Sequence, residues 1–245
     1  MTSSKTARLG LGLIGALTAY ALARPRMLHY GATKREIEDP YPGAEIIPGS
    51  RRGATMATTI DAPPSAVWPW LVQMGCDRAG WYSWDRLDNG GRPSAEEVHP
   101  EWQRIGVGDR LASLPDGSTW FEVAAIEPER FLGLRATLDL RGRPIDPEAR
   151  RPRFFTDSLW CFLLEELPGG RTRLINSGYD GSRPRRFFGV MNLVFWEPAH
   201  WIMQTRQWQG LRRRVQNAAA RPTPPALEPA ASQPFAIASA RRERR

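Results

Sequence analysis

Hydrophobic and polar positions after residue 53 alternate in ways that predict strands first and then a helix. The stretch ATMATTID from Ala54 to Asp61 is rich in β-branched residues and predicts a strand. A helix is predicted to begin at the Pro-Pro-Ser that follows, because Val67, Leu71 and Met74 recur at i, i+4 and i+7. Pro69 is expected to loosen the first turns of this helix.

Two hairpins and a long helix are predicted farther along the chain. Residues 118–136 predict two strands around a turn at 127–130, and residues 157–179 predict a second hairpin with Pro-Gly-Gly at its tip. The last helix is indicated by a stripe of apolar side chains at intervals of seven, three and four, formed by Trp201, Trp208, Leu211 and Val215. The predicted order is strand, helix, a second short helix, several antiparallel strands and a long C-terminal helix.

These patterns divide the chain of 245 residues into one domain and its flanks. Residues 54–219 are expected to form the domain. Residues 1–24 are expected to be a membrane anchor or signal segment, and residues 25–53, with several Pro and Gly, a linker lying against or near the domain. Residues 220–245 are rich in Pro and Ala without an apolar period, which predicts a disordered basic tail.

The N-terminal segment from Leu9 to Ala23 is uncharged and apolar, with basic residues on both sides. As a helix it would span roughly 22 Å, short of the roughly 30 Å hydrocarbon layer. The expectation is an uncleaved single-pass or signal anchor, with the domain outside the cytoplasm if Lys5 and Arg8 stay inside. The alternative is secretion after cleavage near Ala23, which Arg24 disfavours.

The net charge of +8 is unevenly distributed. Residues 54–182 carry 14 Arg and 19 acidic residues, a balance of −5, which leaves +13 on the flanks. A nucleic-acid-binding domain needs its basic face on the folded unit, so the pattern speaks against nucleic acid and suits an anionic membrane surface. The apolar run at 187–196 is too short to cross a bilayer, but it is able to lie in the interface or fill a core.

Signatures of metal or cofactor chemistry are missing from the sequence. Cys76 and Cys161 have no metal-ligand spacing, and the three histidines lie far apart, so neither a metal nor a cofactor is expected. Both cysteines lie in apolar surroundings, which suits buried thiols, although export would permit a disulfide. No nucleotide loop and no nucleophile–base spacing is present, so no catalytic residue is assigned.

A series of short motifs carries a resemblance to a known family. They are IDAPPSAVWPWLVQMG (60–75), GWYSWDRLDN (80–89), VGDRL (107–111), LWCFLLEE leading to GGRTRLI (159–175) and EPAHWIMQTRQWQGLRRR (197–214). In this order they resemble the START/polyketide-cyclase superfamily (SRPBCC), including membrane-anchored bacterial members with the pattern Gly, aromatic, Tyr, Ser, aromatic, Asp found at 80–85. Over residues 54–219 the resemblance implies an α+β helix-grip fold, in which an antiparallel sheet wraps around a long C-terminal helix and leaves an apolar cavity.

The cavity implied by the resemblance has nine candidate ligand-binding residues, and several have a plain structural alternative. Either Tyr82 and Trp84 line the cavity entrance, or Trp81 and Trp84 fill the core and Asp85 caps the helix or pairs with Arg86 at the surface. Arg110 either grips a ligand carboxylate or forms a local salt bridge at the surface. Alternation is expected to turn Glu122 inward, with Arg173 or Asn176 as its partner. The candidates are Tyr82, Trp84, Arg110, Trp120, Glu122, Trp160, Arg173, Trp201 and Trp208.

The resemblance leaves the activity open, because the superfamily includes lipid carriers, aromatic cyclases and small-molecule sensors. Ten Trp in a chain without a catalytic constellation favour binding or transfer of a hydrophobic, lipid-like molecule in the cavity, at a membrane. The alternative is a cyclase- or dehydratase-like enzyme for a polyketide-type substrate, in which Tyr82, Glu122 or Arg173 acts on a carbonyl compound. A weaker option is a membrane-tethered scaffold whose basic tail recruits partners.

Overall fold

An antiparallel sheet forms the centre of the structure, a computed structural model that describes residue 15 and residues 18–146 and 149–220. The sheet has seven strands in the order β1-β7-β6-β5-β4-β3, and β2 also pairs with β7. The strands are β1 (Arg51–Arg52), β2 (Met56–Ile60), β3 (Arg110–Ala112), β4 (Trp120–Glu127), β5 (Phe131–Asp139), β6 (Phe155–Leu167) and β7 (Arg171–Asp180).

Helices lie before, between and after the strands, and the last of them form one continuous helical run over residues 185–220, with a π-helical stretch at 192–196. Two single-turn 3-10 helices lie at Ala44–Ile46 and Pro100–Trp102. The α-helices are α1 (18–28), α2 (Lys34–Glu38), α3 (Pro64–Val72), α4 (Asp85–Asp88), α5 (Arg185–Met191) and α6 (Glu197–Ala220).

The sheet has an inner face, which packs against α6, and an outer face on the opposite side. Leu134, Phe162 and Leu174 of the inner face share one buried cluster with Trp208 and Leu211 of α6. This arrangement confirms the expected α+β helix-grip fold. The stripe predicted from the C-terminal periodicity is therefore the seam between helix and sheet.

The outer face is covered by residues that precede Ala54. Tyr41 and Ile47 are buried there, and β1 pairs with the end of β7. The backbone carbonyls of Leu28 and Tyr30 accept hydrogen bonds from the strand that begins the predicted domain, along its free edge. Part of the segment expected to be a linker is therefore packed on the sheet, because it buries apolar side chains and covers a strand edge.

Most of the predicted membrane segment from Leu9 to Ala23 lies outside the described residues, as does the predicted tail after residue 220. Within the described ranges, no helix combines the length and the apolar character that crossing a bilayer requires. The membrane anchor remains an expectation from the sequence.

Candidate functional site

Aromatic rings fill most of the space where the resemblance implied a cavity. The ring of Trp160 lies 5.8 Å from those of Trp81 and Phe121 and 4.6 Å from that of Phe162, centroid to centroid. Two clefts stand out among the described residues, with volumes of about 230 and 380 Å³. Both lie outside the space between the inner face and α6. The middle of the interface between the inner face and α6 is thus a packed core.

One end of the same interface is less tightly closed. Leu134 and Phe162 on the inner face are fully buried. Ala136, Ser158 and Trp160, which lie two or four residues farther along the same strands on the same face, are only half-buried. We call these three residues and the half-buried Leu138 the open end. The π-helical stretch lies beside it, because the Asn192 amide donates to Asp180, which pairs with Ser158 in the sheet.

A chain of buried amides fixes the tryptophan at this end. The Trp160 indole donates to Gln204 at 3.2 Å, and Gln204 donates to Gln207 at 2.8 Å. Gln207 in turn donates to the backbone carbonyl of Trp81. Buried polar groups need partners, and here each amide has one, so the indole is held in a defined orientation.

Trp208, one of the candidates, is buried in the seam between α6 and the sheet, and its indole donor is already used. Its indole donates to the Asn176 side chain at 2.9 Å, and that amide donates to the Cys161 carbonyl. Sequence reasoning proposed Asn176 as a partner for Glu122 and overlooked the two glutamines. Their spacing would have identified them, because 204, 207, 208, 211 and 215 share one face of the helix.

Trp201 differs from Trp208 in having an unused donor. Its ring is half-buried and meets Tyr30 edge to face at 6.3 Å, yet its buried indole nitrogen has no hydrogen-bond partner among the described residues. An unsatisfied buried donor is costly, so an acceptor supplied by a ligand would be stabilising here.

Tyr82 is a core residue. It is 2% exposed, its hydroxyl donates to the Trp70 carbonyl, and it accepts from Gln73 at 2.9 Å. The Arg214 guanidinium lies 4.9 Å from its ring centre. Burial raises the pKa of the phenol, opposed by the Gln73 hydrogen bond and the Arg214 charge. The hydroxyl is therefore occupied and protonated at neutral pH.

Trp84 lies at the protein surface. Its side chain is among the exposed large apolar groups at 44%, and the Arg206 guanidinium lies 5.1 Å from its ring centre. The expectation that it fills the core is wrong. Of the three aromatic side chains at 81, 82 and 84, those of Trp81 and Tyr82 reach the interior.

Glu122 points to the outer face, which corrects the expectation that it faces a cavity. It pairs across the sheet with Arg135 and Arg110, both outer-face residues. A β-bulge between Val123 and Ala125 shifts the alternation, so Ile126 faces inward while Glu122 and Trp120 face outward. The predicted common face of Glu122 and Ile126 therefore does not exist.

Three candidates do meet on the outer face, in the larger cleft. The Arg110 guanidinium lies 4.4 Å from the ring centre of Trp120, and Glu122 lines the same cleft. Its floor is fixed by Arg135, which binds Asp157 through two hydrogen bonds of 2.8 Å. This cleft is polar and charged, unlike the inner face.

Arg173, proposed as a partner for Glu122, is held elsewhere on the outer face. Its guanidinium binds Glu36 through contacts of 2.7 and 2.8 Å, and donates to the Gly31 carbonyl. Tyr82, Glu122 and Arg173 thus occupy three separate environments. The geometry gives no shared site for the enzyme alternative.

The remaining titratable groups are adapted to burial. Burial lowers the pKa of His200 to about 4, so this imidazole is neutral at pH 7. Burial also raises the pKa values of Cys76 and Cys161, which are 1% and 0% exposed free thiols. Both thiols are therefore poor nucleophiles.

Comparison with known proteins adds little to this description. No family model matches the sequence. No curated protein matches it either. Among solved structures the chain is similar to protein MLL2253 from Mesorhizobium loti, with 20% identity over 66% of this chain and 97% of that one, and a TM-score of 0.34.

Two further structures give the same level of similarity. Protein NE0264 from Nitrosomonas europaea is 14% identical over 68% of this chain and 96% of that one, with a TM-score of 0.40. CalU16 from Micromonospora echinospora is 17% identical over 70% and 87%, with a TM-score of 0.33. Similarity at this level carries no argument about function, which has to rest on the site itself.

Proposed function

We propose that this protein binds a hydrophobic small molecule at the open end, between the inner face of the sheet and the C-terminal helical run. The observation that carries the proposal is the half-buried state of Trp160 and of the inner-face positions beside it, next to the fully buried Leu134 and Phe162. Apolar surface left accessible inside a concave fold is the usual form of a small-molecule site.

The nature of the ligand follows from the lining. Ala136, Leu138 and the Trp160 ring offer apolar contact. A molecule with an apolar body fits this lining. No charged group among the candidates faces this end, because Glu122, Arg110 and Arg173 lie on the outer face.

Contact with an apolar chain would give moderate affinity. Burying about eight methylenes at ~0.8 kcal/mol each yields roughly 6 kcal/mol before costs. Ordering of ligand and side chains takes up part of this gain, which leaves a dissociation constant above roughly 40 µM. The packed middle of the grip means that a longer ligand has to extend outward along the helical run or displace core rings.

The test is a titration of the full-length protein, purified without detergent, with a fluorescent fatty acid. Trp160→Ala is expected to raise the dissociation constant tenfold or more, because it removes the largest apolar side chain of the open end. Trp120→Ala is the matched control, since Trp120 is equally half-buried but lies on the outer face. Equal effects of the two substitutions, or no saturable binding, would reject the proposal.

Native mass spectrometry of the same preparation supplies an independent readout. A co-purifying hydrophobic molecule, present in the wild type and reduced in Trp160→Ala, is the expected result. If wild type and Trp160→Ala carry the molecule in equal amounts, it binds at a site other than the open end.

A further inference from the structure

The helical run after β7 carries an unusual amount of exposed apolar surface. Six large side chains between residues 187 and 202 are 45–70% exposed, and single exposed residues of this kind are ordinary whereas a continuous set is not. We call this set the apolar ridge: Phe187, Val190, Val194, Phe195, Trp196 and Ile202.

The ridge is continuous along the run. Phe187, Val190 and Val194 recur at i, i+3 and i+7, and the rings of Phe195 and Trp196 meet edge to face at 4.9 Å. Among the described residues these side chains have no covering element that buries them. Exposed aromatic and aliphatic groups along a helical run are typical of helices that lie in a membrane interface.

The charge around the ridge is basic. Arg185, Arg186 and Arg206 are exposed at its two ends. Glu197 is the sole acidic residue between 183 and 206, and its carboxylate is paired with Arg24 through contacts of 2.6 and 2.8 Å. The ridge therefore presents uncompensated positive charge beside apolar surface, which complements anionic headgroups.

The start of the described chain lies against the same surface. The Tyr20 hydroxyl donates to the Leu193 carbonyl, and the Arg24–Glu197 pair holds α1 at the beginning of α6. The apolar sequence from Leu9 onward, expected to enter a membrane, thus leads into a helix that contacts the ridge segment. A bilayer reached by that sequence would lie next to the ridge.

We propose that the apolar ridge is a docking surface for an anionic lipid bilayer. Val194, Phe195 and Trp196 enter the boundary between headgroups and acyl chains, and Arg185 and Arg186 contact lipid phosphates. A second copy of the chain is a poorer occupant, because a symmetric contact through the ridge would bring these arginines close to their own copies. The contact is made by the folded domain, in addition to any anchoring by the N-terminal segment, and does not depend on the proposed ligand site.

The test places an environment-sensitive fluorophore on the full-length protein at Val194→Cys. Val107→Cys is the matched control, because Val107 is also exposed, at 68%, but lies in the loop before β3. The native cysteines are buried thiols with raised pKa values and are expected to stay unlabelled. The probes are phosphatidylcholine vesicles with and without phosphatidylserine, carrying nitroxide-labelled acyl chains.

The label at 194 is expected to shift to the blue and to be quenched by the nitroxide on phosphatidylserine vesicles, while the label at 107 stays unchanged. Arg185→Gln combined with Arg186→Gln is expected to weaken binding to phosphatidylserine vesicles through the ridge about 30-fold, since each basic residue near an anionic surface contributes about fivefold to the affinity.

Three results would overturn the inference. Vesicle binding without quenching at 194 would assign attachment to the N-terminal segment alone. A concentration-dependent blue shift without lipid would identify a second copy as the occupant. Absence of vesicle binding would show that the apolar ridge does not bind a bilayer. Ligand titration is unaffected by these substitutions, so failure here is distinguishable from failure of the proposed function.

Discussion

Gly210 lies where the C-terminal helix touches the aromatic segment, and its replacement by alanine is the sharpest test of that contact. A Cβ at this position would lie 2.2 Å from the Tyr82 carbonyl oxygen and 3.2 Å from the Arg214 guanidinium. The arginine can move, but the carbonyl cannot move freely, because the phenol of Tyr82 is fixed by hydrogen bonds to Trp70 and Gln73. Gly210→Ala therefore forces the backbone of α6 away from the backbone at Tyr82.

The expected magnitude combines two opposing terms. Alanine in a helix is normally favoured over glycine by about 1 kcal/mol. Overpacking of a tight contact costs about 1–3 kcal/mol, and more when backbone has to shift. Because the clash is with backbone, the cost is taken at about 3 kcal/mol, and the net expectation for Gly210→Ala is a loss of about 2 kcal/mol in the free energy of unfolding. This corresponds to a fall in melting temperature of roughly 4–8 °C for a chain of this size.

Gly189→Ala is the matched control, because Gly189 is also helical but has open space where a Cβ would be added. It is expected to raise the free energy of unfolding by about 0.5–1 kcal/mol, as in any exposed helix. Denaturant unfolding followed by circular dichroism compares the two variants. If both substitutions stabilise the protein, the described contact between Gly210 of α6 and the Tyr82 carbonyl is wrong.

The remaining predictions concern two hydrogen-bonded pairs. Burial acts to raise the pKa of Glu36, but hydrogen bonds from Arg173 and Thr33 outweigh it, so the folded-state pKa is lowered from 4.5. Stability from this pair is present above pH 4.5 and is lost as pH falls through the lower folded pKa. Arg173→Gln is expected to lower the free energy of unfolding by about 1–3 kcal/mol at pH 7, and the difference between wild type and variant should disappear in acid. A difference that stays constant with pH would contradict the ion pair. Trp208→Phe is expected to cost about 1–3 kcal/mol more than Trp201→Phe in thermal unfolding, because only Trp208 loses a buried hydrogen bond; equal losses would refute this assignment.

Periodicity was sufficient to predict the elements that build the grip. The stripe of Trp208, Leu211 and Val215 correctly indicated the face of α6 that meets the sheet, since only one side of a helix can be buried against a single layer. The hairpin with Pro-Gly-Gly at its tip also formed as predicted, because Gly169 and Gly170 adopt positive φ in the turn.

Alternation failed at one bulge and thereby misplaced part of the site. An extra residue near Ala124 reverses the faces on either side of it, so Glu122 and Trp120 became outer-face residues. A single sequence does not mark such a bulge, since Ala-Ala is compatible with both faces. The covering segment around Tyr41 was also unpredictable, because a stretch with so little regular structure has no hydrophobic period to follow.

The half-buried inner face beside Trp160 is the feature on which the proposed function depends. A crystal structure of the full-length protein grown with a brominated fatty acid tests it most directly, because bromine locates the ligand without ambiguity. We expect anomalous density against Trp160 and Leu138, between the inner face and the helical run. Density beside Trp120 on the outer face, or none on the protein at a saturating concentration of the fatty acid, would contradict the proposal.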